Sequence, residues 1–299
     1  MLAGKRYGQG EFQLPRLDFA LRRRVRRTGP IEISENHVPL KRWPEEFSDF
    51  RIVQLTDIHH GLFLPLEEVE RAVELANLLQ PDLVALTGDF VSFSRYYIRP
   101  VAELLGHLVA RHGVFAVLGN HDHRVGGDLV ARALERHGAQ VLNNRNLAIR
   151  RNGSAFYLAG IDDMTYRRDD LLRALRGIPR GAARVLLSHN PRILRSAAAL
   201  GVDLVLSGHT HGGQVLTPIL RAFYDRSGLF PRGWGQAGET RLYVSRGIGM
   251  TVVPIRIGCP AEIPLFRLRR SNGHPIGDRP HNQNSPRTHR RASFDLTRE

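Results

Sequence analysis

Of 299 residues, 42% are apolar and 24% charged, the balance of a chain that can bury a sizeable core, and the formal net charge is +14. No apolar run is long enough to cross a bilayer, and a single cysteine, Cys259, excludes an internal disulfide and suits a reducing compartment. The charge is almost all arginine and is spread out, about +3 over residues 1–50, +6 over 51–266 and +5 from Arg267 onward, so it favours anionic ligands in general without specifying nucleic acid.

In chain order, Leu17, Leu21 and Val25 recur at helical spacing after Pro15, among Arg22, Arg23, Arg24, Arg26 and Arg27. This is either a basic amphipathic helix for an anionic membrane surface or a solvated arm. No apolar stretch follows the arginines, so neither a Sec nor a twin-arginine signal is expected; a cytoplasmic location, peripheral to the inner membrane or not, follows. Residues 51–56, 83–87, 114–118, 184–188 and 203–207 are short runs rich in Leu and β-branched residues that end at once in small or polar residues. Such runs read as buried strands entering loops. Helices are predicted over Leu66–Leu79, where Leu66, Val69, Val73, Ala76 and Leu79 share a face, and over Arg99–Ala110, Asp128–His137, Asp169–Arg176 and a short stretch after Pro191. Further strands fit Ala155–Ile161, Arg241–Ser245 and Glu262–Leu268. The expected organisation is a basic arm and lead-in strand over residues 1–50, a catalytic domain over 51–268, and a disordered basic tail over 269–299, whose composition offsets little ordering cost. The pattern by itself supports an α/β fold with a mixed sheet.

The ends of the five strand-like runs carry the chemistry: Asp57 and His59, Asp89, Asn120 with His121 and Asp122, His189, and His209 with His211. In open α/β sheets the loops at the strands' C-terminal ends converge, so five separate segments can reach one point. Imidazole nitrogen together with carboxylate and amide oxygen suits borderline divalent ions. Two Asp, four His and one Asn are too many ligands for one ion and fit two ions that share a carboxylate. The chain has 14 histidines and half lie outside these clusters, so it is position after a buried strand that marks the candidates. His60 and His123 lie inside the clusters with no ligand slot left for them and are expected to be supporting or surface residues.

The ordered motifs Asp57-x-His59, Gly88-Asp89, Gly119-Asn120-His121-Asp122, His189 and Gly208-His209-x-His211 resemble those of the calcineurin-like metallophosphoesterase superfamily, over roughly Arg51 to Leu268. The stretch from Gly208 to Gln214, followed by Tyr243 to Gly249, is similar to the bacterial YaeI/YkuE-like phosphodiesterase branch. The resemblance implies a four-layer α/β/β/α sandwich of two mixed sheets flanked by helices. It further implies that Asp57, His59 and His211 hold one ion, that Asn120, His189 and His209 hold the other, and that Asp89 bridges them. Mn, Fe or Zn all tolerate such sites. The implied reaction is hydrolysis of a phosphodiester or pyrophosphate by in-line attack of metal-bound hydroxide, with uncoordinated His121 stabilising charge or protonating the leaving oxygen, and Asp122 orienting a neighbour.

The substrate class is expected to be a small-molecule phosphoester, including lipid-linked and sugar-nucleotide phosphoesters. A nuclease on the same centre and a catalytically silent scaffold are the alternatives; the completeness of the motifs argues against the scaffold, and no specific nucleic-acid partner is expected. Residues 217–239, with Phe223, Tyr224, Phe230 and Trp234 among arginines, read either as a specificity loop or as a loop packed on the sandwich. Residues 160–168, with Asp162, Asp163 and Tyr166, either line the cleft or form a turn. Cys259 is expected to be a small buried residue away from the motifs.

Overall fold

The computed structural model describes residues 29–215, 232–251 and 254–271. The amphipathic stretch around Leu17–Val25, the greater part of the 217–239 segment and the tail beyond Ser271 lie outside the described residues.

Strands β1 (Glu32–Leu40), β2 (Phe50–Leu55), β3 (Leu83–Thr87), β4 (Val114–Val117), β5 (Ala139–Val141) and β12 (Glu262–Arg270) form one six-stranded sheet in the order β1-β12-β2-β3-β4-β5. The second sheet has the order β10-β11-β9-β8-β7-β6, from β6 (Arg145–Arg151), β7 (Ser154–Gly160), β8 (Arg184–Leu187), β9 (Leu204–Ser207), β10 (Gly233–Ala237) and β11 (Thr240–Val244). Strands β2 to β5 run parallel, as do β7, β8, β9 and β11, whereas β12 is antiparallel to β2 and β10 to β11. The two-residue period of a strand explains how the sheets stack. On β3, Leu83 and Ala85 enter a core between the sheets while Val84 and Leu86 enter a core under helices; on β8, Val185 and Leu187 face the other sheet and Leu186 faces outward. Because both faces are buried, these strands read as continuous apolar runs rather than alternating ones.

The outer face of the first sheet is covered by α1 (Leu66–Leu78), α2 (Ile98–Leu105) and α3 (Asn120–Arg136), and that of the second by α4 (Leu171–Ala174) and α5 (Leu194–Ala199). The result is the α/β/β/α layering that the family resemblance implied. Helix α1 buries Val69, Ala72, Val73 and Ala76 and ends before Pro81, close to the predicted bounds. Helix α2 is shorter than predicted because the chain turns at Gly106, where His107 N–H bonds Leu104 O and Leu108 N–H bonds Leu105 O. The prediction of α4 is likewise too long; Asp170 caps a single turn by accepting from Arg173 N–H at 2.9 Å. The largest difference is α3, which starts eight residues before the predicted Asp128, at Asn120, and is broken at Gly126 (φ 124°, ψ 83°).

Strands β1, β5, β6 and β10 are not predicted one by one from the sequence. Each is a sheet edge, half exposed, and lacks the apolar run that marks a central strand. Strand β1 pairs in register with β12 along its full length, Glu32 opposite Glu262 to Leu40 opposite Arg270, so the described part of the first fifty residues belongs to the sandwich. Exposed Arg145, Arg150 and Arg151 on edge strand β6 discourage pairing with another chain. Part of the 217–239 segment is strand rather than loop: Trp234 on β10 lies on Tyr243 and Phe266, with ring centroids 5.0 and 6.0 Å away, at the margin of the inter-sheet core.

Candidate metal centre

Strands β2, β3 and β4 of the first sheet and β8 and β9 of the second deliver their C-terminal ends to one cleft between the sheets. Asp57, His59 and His211 place ligand atoms within 4.8 Å of one another, and so do Asp89, His189 and His209. The two groups meet at Asp89, whose Oδ2 lies 3.4 Å from His59 Nε2 and 3.2 Å from His189 Nε2. His211 Nε2 is 3.4 Å from Asp57 Oδ1 and 2.9 Å from His59 Nε2, and His209 Nδ1 is 3.2 Å from His189 Nε2. Asn120 begins α3, and its Oδ1 is buried with no hydrogen-bond partner among the described residues.

The backbone here is unusual. Asp57, His59, Asp89, His209 and His211 all have φ between 49° and 75°, the left-handed region that costs an L-residue on the order of 1–2 kcal/mol. Five such residues at one cleft are the pattern of strain held in place by a functional site. The strain is overdetermined by hydrogen bonds: His209 N–H donates to both Asp57 oxygens at 3.0 Å, His121 N–H donates to Asp89 Oδ1 at 2.8 Å, and Gly249 N–H donates to Asp57 O at 2.7 Å. Close approach explains two motif glycines. A Cβ at Gly119 would fall on Asp89 Oδ1, and one at Gly208 would fall on Asp57 Oδ2 and Thr56 Oγ1.

The donor set fits divalent cations. His189 Nδ1 lies 2.8 Å from Thr87 O, so Nδ1–H donates to that carbonyl and Nε2 is the ring nitrogen left facing Asp89. Burial pushes His59 down to about 3 and His209 down to about 4, with His189 adding to the second shift; burial and His59 likewise hold His211 well below the ordinary imidazole range. These three rings are therefore neutral, the form that binds metal. Burial opposes charging His189, yet the Asp89 carboxylate beside it raises its pKa to about 10. Burial also works against charge on Asp89, but His189 and His59 hold its carboxyl well below the usual range. Two buried carboxylates beside three neutral imidazoles, plus an amide oxygen with no partner among the described residues, form an environment that a cation satisfies, with His189 giving up its Nε2 proton when the ion binds.

Around this cluster, Asp122 accepts from Gly119 and Asp89 N–H at Oδ2 (2.9 and 2.8 Å) and from Phe90 N–H at Oδ1 (2.9 Å), so it orients the loop that carries Asp89, as its place beside His121 suggested. His121 stands edge-on to His59, ring centroids 4.6 Å apart, and also comes within 4.8 Å of Asp89 as a possible ligand. His60 is supporting, with Nδ1 2.9 Å from Leu64 O. His123 is not a surface residue: its Nε2 lies 2.6 Å from Asp162 Oδ1, with both side chains over 90% buried. Cys259 is buried as expected but is not remote from the motifs, because the chain folds back and its thiol donates to His211 O at 3.1 Å.

Three groups near the cluster were missed in the sequence. Glu262 accepts from Ser34 Oγ at 2.5 Å, from the Tyr243 hydroxyl, and from Arg246 Nε at 3.0 Å, so a buried polar network joins β1 and β12 to β11 across the sandwich. Arg246 also pairs with Glu32 at 2.9 Å. The Arg256 guanidinium donates to Gly249 O (3.0 Å), Arg246 O (2.9 Å) and Cys259 O (3.2 Å), gathering the loop behind Asp57. Gln54 Nε2 donates to Thr87 Oγ1 at 2.7 Å and Ser207 O at 3.0 Å, pinning the two sheets together beneath the site. The weak signal for all three is a charged or amide residue set in an apolar or glycine-rich run.

Residues 50–213 match the calcineurin-like phosphoesterase family. The uncharacterized metallophosphoesterase YkuE of Bacillus subtilis is 32% identical over 250 residues, which covers 81% of this chain and 87% of that protein. A transmembrane protein with metallophosphoesterase domain from Danio rerio is 30% identical over 256 residues, 81% of this chain but 58% of the relative's own length. Among solved structures, a 5'-nucleotidase precursor from Thermus thermophilus superposes with a TM-score of 0.47 at 17% identity, over 73% of this chain and 54% of that one.

Proposed function

The chain belongs to the calcineurin-like phosphoesterase family of metal-dependent hydrolases, and we propose that it hydrolyses phosphodiesters or pyrophosphates at a centre for two divalent ions. One observation carries this reading: the Asp89 carboxylate lies between an imidazole of each ligand group, 3.4 Å from His59 Nε2 and 3.2 Å from His189 Nε2. Asp57, His59 and His211 would hold one ion, Asn120, His189 and His209 would hold the other, and Asp89 would serve both. When bound, such a pair activates water and neutralises charge on the phosphoryl oxygens. The protein's own groups do the rest. His121 holds a proton for the leaving oxygen and meets the negative charge of the pentacovalent state. Asp122 keeps the Asp89 carboxylate aimed into the cleft, and the left-handed turns keep the ligand atoms in place before substrate arrives, so that little reorganisation accompanies the reaction.

The rim supports an amphiphilic substrate, lipid-linked in preference to polymeric. Leu62, Phe93, Tyr96, Tyr166, Ile255 and Ile257 are each about half or more exposed, and all lie on loops or a short helical turn that follow ligand-bearing strands or their sheet neighbours. Phe93 is edge-on to His121 at 5.8 Å, and Tyr166 lies over His123 at 5.4 Å. Arg124, Arg167 and Arg192 are also exposed, and the Arg124 guanidinium lies 5.5 Å over the Phe93 ring. Exposed apolar and cationic groups on segments beyond the ligand-bearing strands match an acyl chain next to a phosphate better than a sugar-phosphate backbone, which presents no long apolar surface.

The test is hydrolysis of bis-p-nitrophenyl phosphate by metal-stripped protein titrated with Mn²⁺, Fe²⁺ or Zn²⁺, followed by sugar-nucleotide pyrophosphates with and without acyl chains. Metal-restored turnover, suppressed in His121→Ala, and a preference for the acylated substrate are expected. Folded protein that is silent with every divalent metal would overturn the activity. Equal turnover with and without acyl chains, or salt-sensitive cleavage of DNA or RNA, would overturn the substrate class.

A further inference from the structure

The first turn of α3 carries Asn120 and His121, yet the helix body does not hold it. Gly126, with φ 124° and ψ 83°, leaves helical geometry and separates residues 120–125 from 127–136. The turn is instead tied down by its own residues, nearly one by one. The Asp122 carboxylate takes the N–H groups of Gly119, Asp89 and Phe90. The Arg124 guanidinium lies 5.5 Å over the Phe93 ring, and Arg95 Nε donates to Val125 O at 2.8 Å. All of these partners belong to the first sheet's loops.

His123 is different, because its partner, Asp162, follows β7 in the second sheet. The Nε2 to Oδ1 distance is 2.6 Å. Asp162 is itself held in place: its N–H donates to Asn144 Oδ1 at 3.0 Å, its Oδ1 accepts from Asp163 N–H at 2.8 Å, and its Oδ2 accepts from Arg168 Nε at 3.2 Å. The other His123 nitrogen is packed against the helix, where a Cβ at Gly127 would come within 2.5 Å of Nδ1. One ring nitrogen faces a carboxylate and the other the helix, so neither is offered to a substrate.

We infer that His123 and Asp162 are a positioning pair that fixes the turn bearing Asn120 and His121 against the second sheet, across the cleft where the two ligand groups meet. Of the side-chain ties described for this turn, it is the one that sets the distance between sheets. Its loss leaves His121 near the cleft but less constrained, and a displacement of about 1 Å at a reacting group costs up to about 10²-fold in rate. The inference uses the proposed acid role of His121, and the experiment separates the two.

His123→Ala, His123→Gln and Asp162→Asn are compared with wild type and His121→Ala by amide hydrogen exchange of the full-length protein, and by kcat and KM on aryl phosphodiesters whose leaving groups run from p-nitrophenol to phenol. For His123→Ala, exchange over residues 120–125 is expected to rise on the order of tenfold with 127–136 unchanged. Its kcat is expected to fall about 10–100-fold at near-constant KM, most on the phenol substrate, where a proton donor matters most. Glutamine, whose amide can still donate to Asp162, restores most of both. If His123→Ala does not fold, Asp162→Asn is expected to show the same pattern more weakly. Unchanged exchange over 120–125 overturns the inference, and so does a loss that is uniform across leaving groups while His121→Ala shows a graded one. A His121→Ala variant with no leaving-group dependence would instead remove the acid role and leave the exchange measurement to decide on the pair.

Discussion

The two sheets bring different chemistry to the cleft. The first supplies oxygen, from Asp57, Asp89 and Asn120, with the imidazoles of His59 and His121 beside them; the second supplies imidazoles only, from His189, His209 and His211. Their supports differ in the same sense. The first sheet's edge is braced by its own backbone, through Asp122 and the N–H groups of Gly119, Asp89 and Phe90. The second sheet's ligands lean on the first, with His189 Nδ1 2.8 Å from Thr87 O and His209 N–H on the Asp57 carboxylate. Burial favours neutral forms on both sides: it raises Asp57 to about 6, with Asp89 adding to the shift, and depresses His59 and His209, while the attraction between Asp89 and His189 overrides it for that pair. Carboxylate oxygen on one side and imidazole nitrogen on the other become a cation site only when the sheets face each other.

Removing the residue common to both sides breaks this comparison most severely. Asp89→Asn keeps the shape but removes the charge shared by both ligand groups, and metal-restored turnover of bis-p-nitrophenyl phosphate is expected to drop by about 10³-fold or more. Retention of a tenth of the activity would mean that the two groups act separately.

Protons probe the same asymmetry in metal-stripped protein. His59 and His209 have folded pKa values of about 3 and about 4, below their ordinary value of 6.5. The unfolded chain therefore binds more protons between roughly pH 4 and 6.5, and stability falls as pH falls through that window. His189, raised to about 10, acts in the opposite direction: its contribution is complete below 6.5 and is lost as pH rises toward 10. A Tm maximum near neutral pH is expected, with the acid limb shallower once Mn²⁺ is bound, since bound metal stabilises the folded form by mass action. A Tm that keeps rising from pH 6.5 to 9 would contradict the His189–Asp89 pairing.

Away from the cleft, Glu262→Gln weakens the tie between β12 and β11 without touching a ligand. Arg246 keeps Glu32 as a partner, so the expected cost is about 1–3 kcal/mol in urea unfolding, with kcat changed only a few-fold. A neutral effect on unfolding would show that Glu32 suffices. The smallest change is at the rim. Phe93→Ala is expected to raise KM for acylated or aryl substrates about three- to tenfold, consistent with one lost apolar contact, and to leave small alkyl phosphodiesters unaffected. Equal effects on both kinds of substrate would argue against an apolar subsite.

Most of the residues that gather at the candidate centre were readable because buried parallel strands announce themselves as apolar runs, and Asp57, Asp89, His189 and His209 follow such runs within two residues. The edge strands were harder. β6 carries three arginines in seven residues, and β5 is three residues long, so neither has the period or length that marks a strand. The start of α3 was hidden for another reason: Asn120, His121, Asp122 and His123 are weak helix formers, and their place in a helix is secured by tertiary hydrogen bonds rather than propensity. The same gap hid His123. Nothing local distinguishes it from its neighbours, since its partner Asp162 is 39 positions away on the other sheet.

Local information therefore carried the α/β class and pointed to the candidate ligands, because strand patterning and residue chemistry are properties of neighbouring positions along the chain. The pairing of those candidates across the cleft, the hydrogen bond that orients His189, the burial that keeps His59, His209 and His211 neutral, and the ties through His123, Glu262 and Gln54 all depend on distances between segments far apart in sequence. Those distances are set by packing two sheets face to face around one core, and no local pattern encodes them.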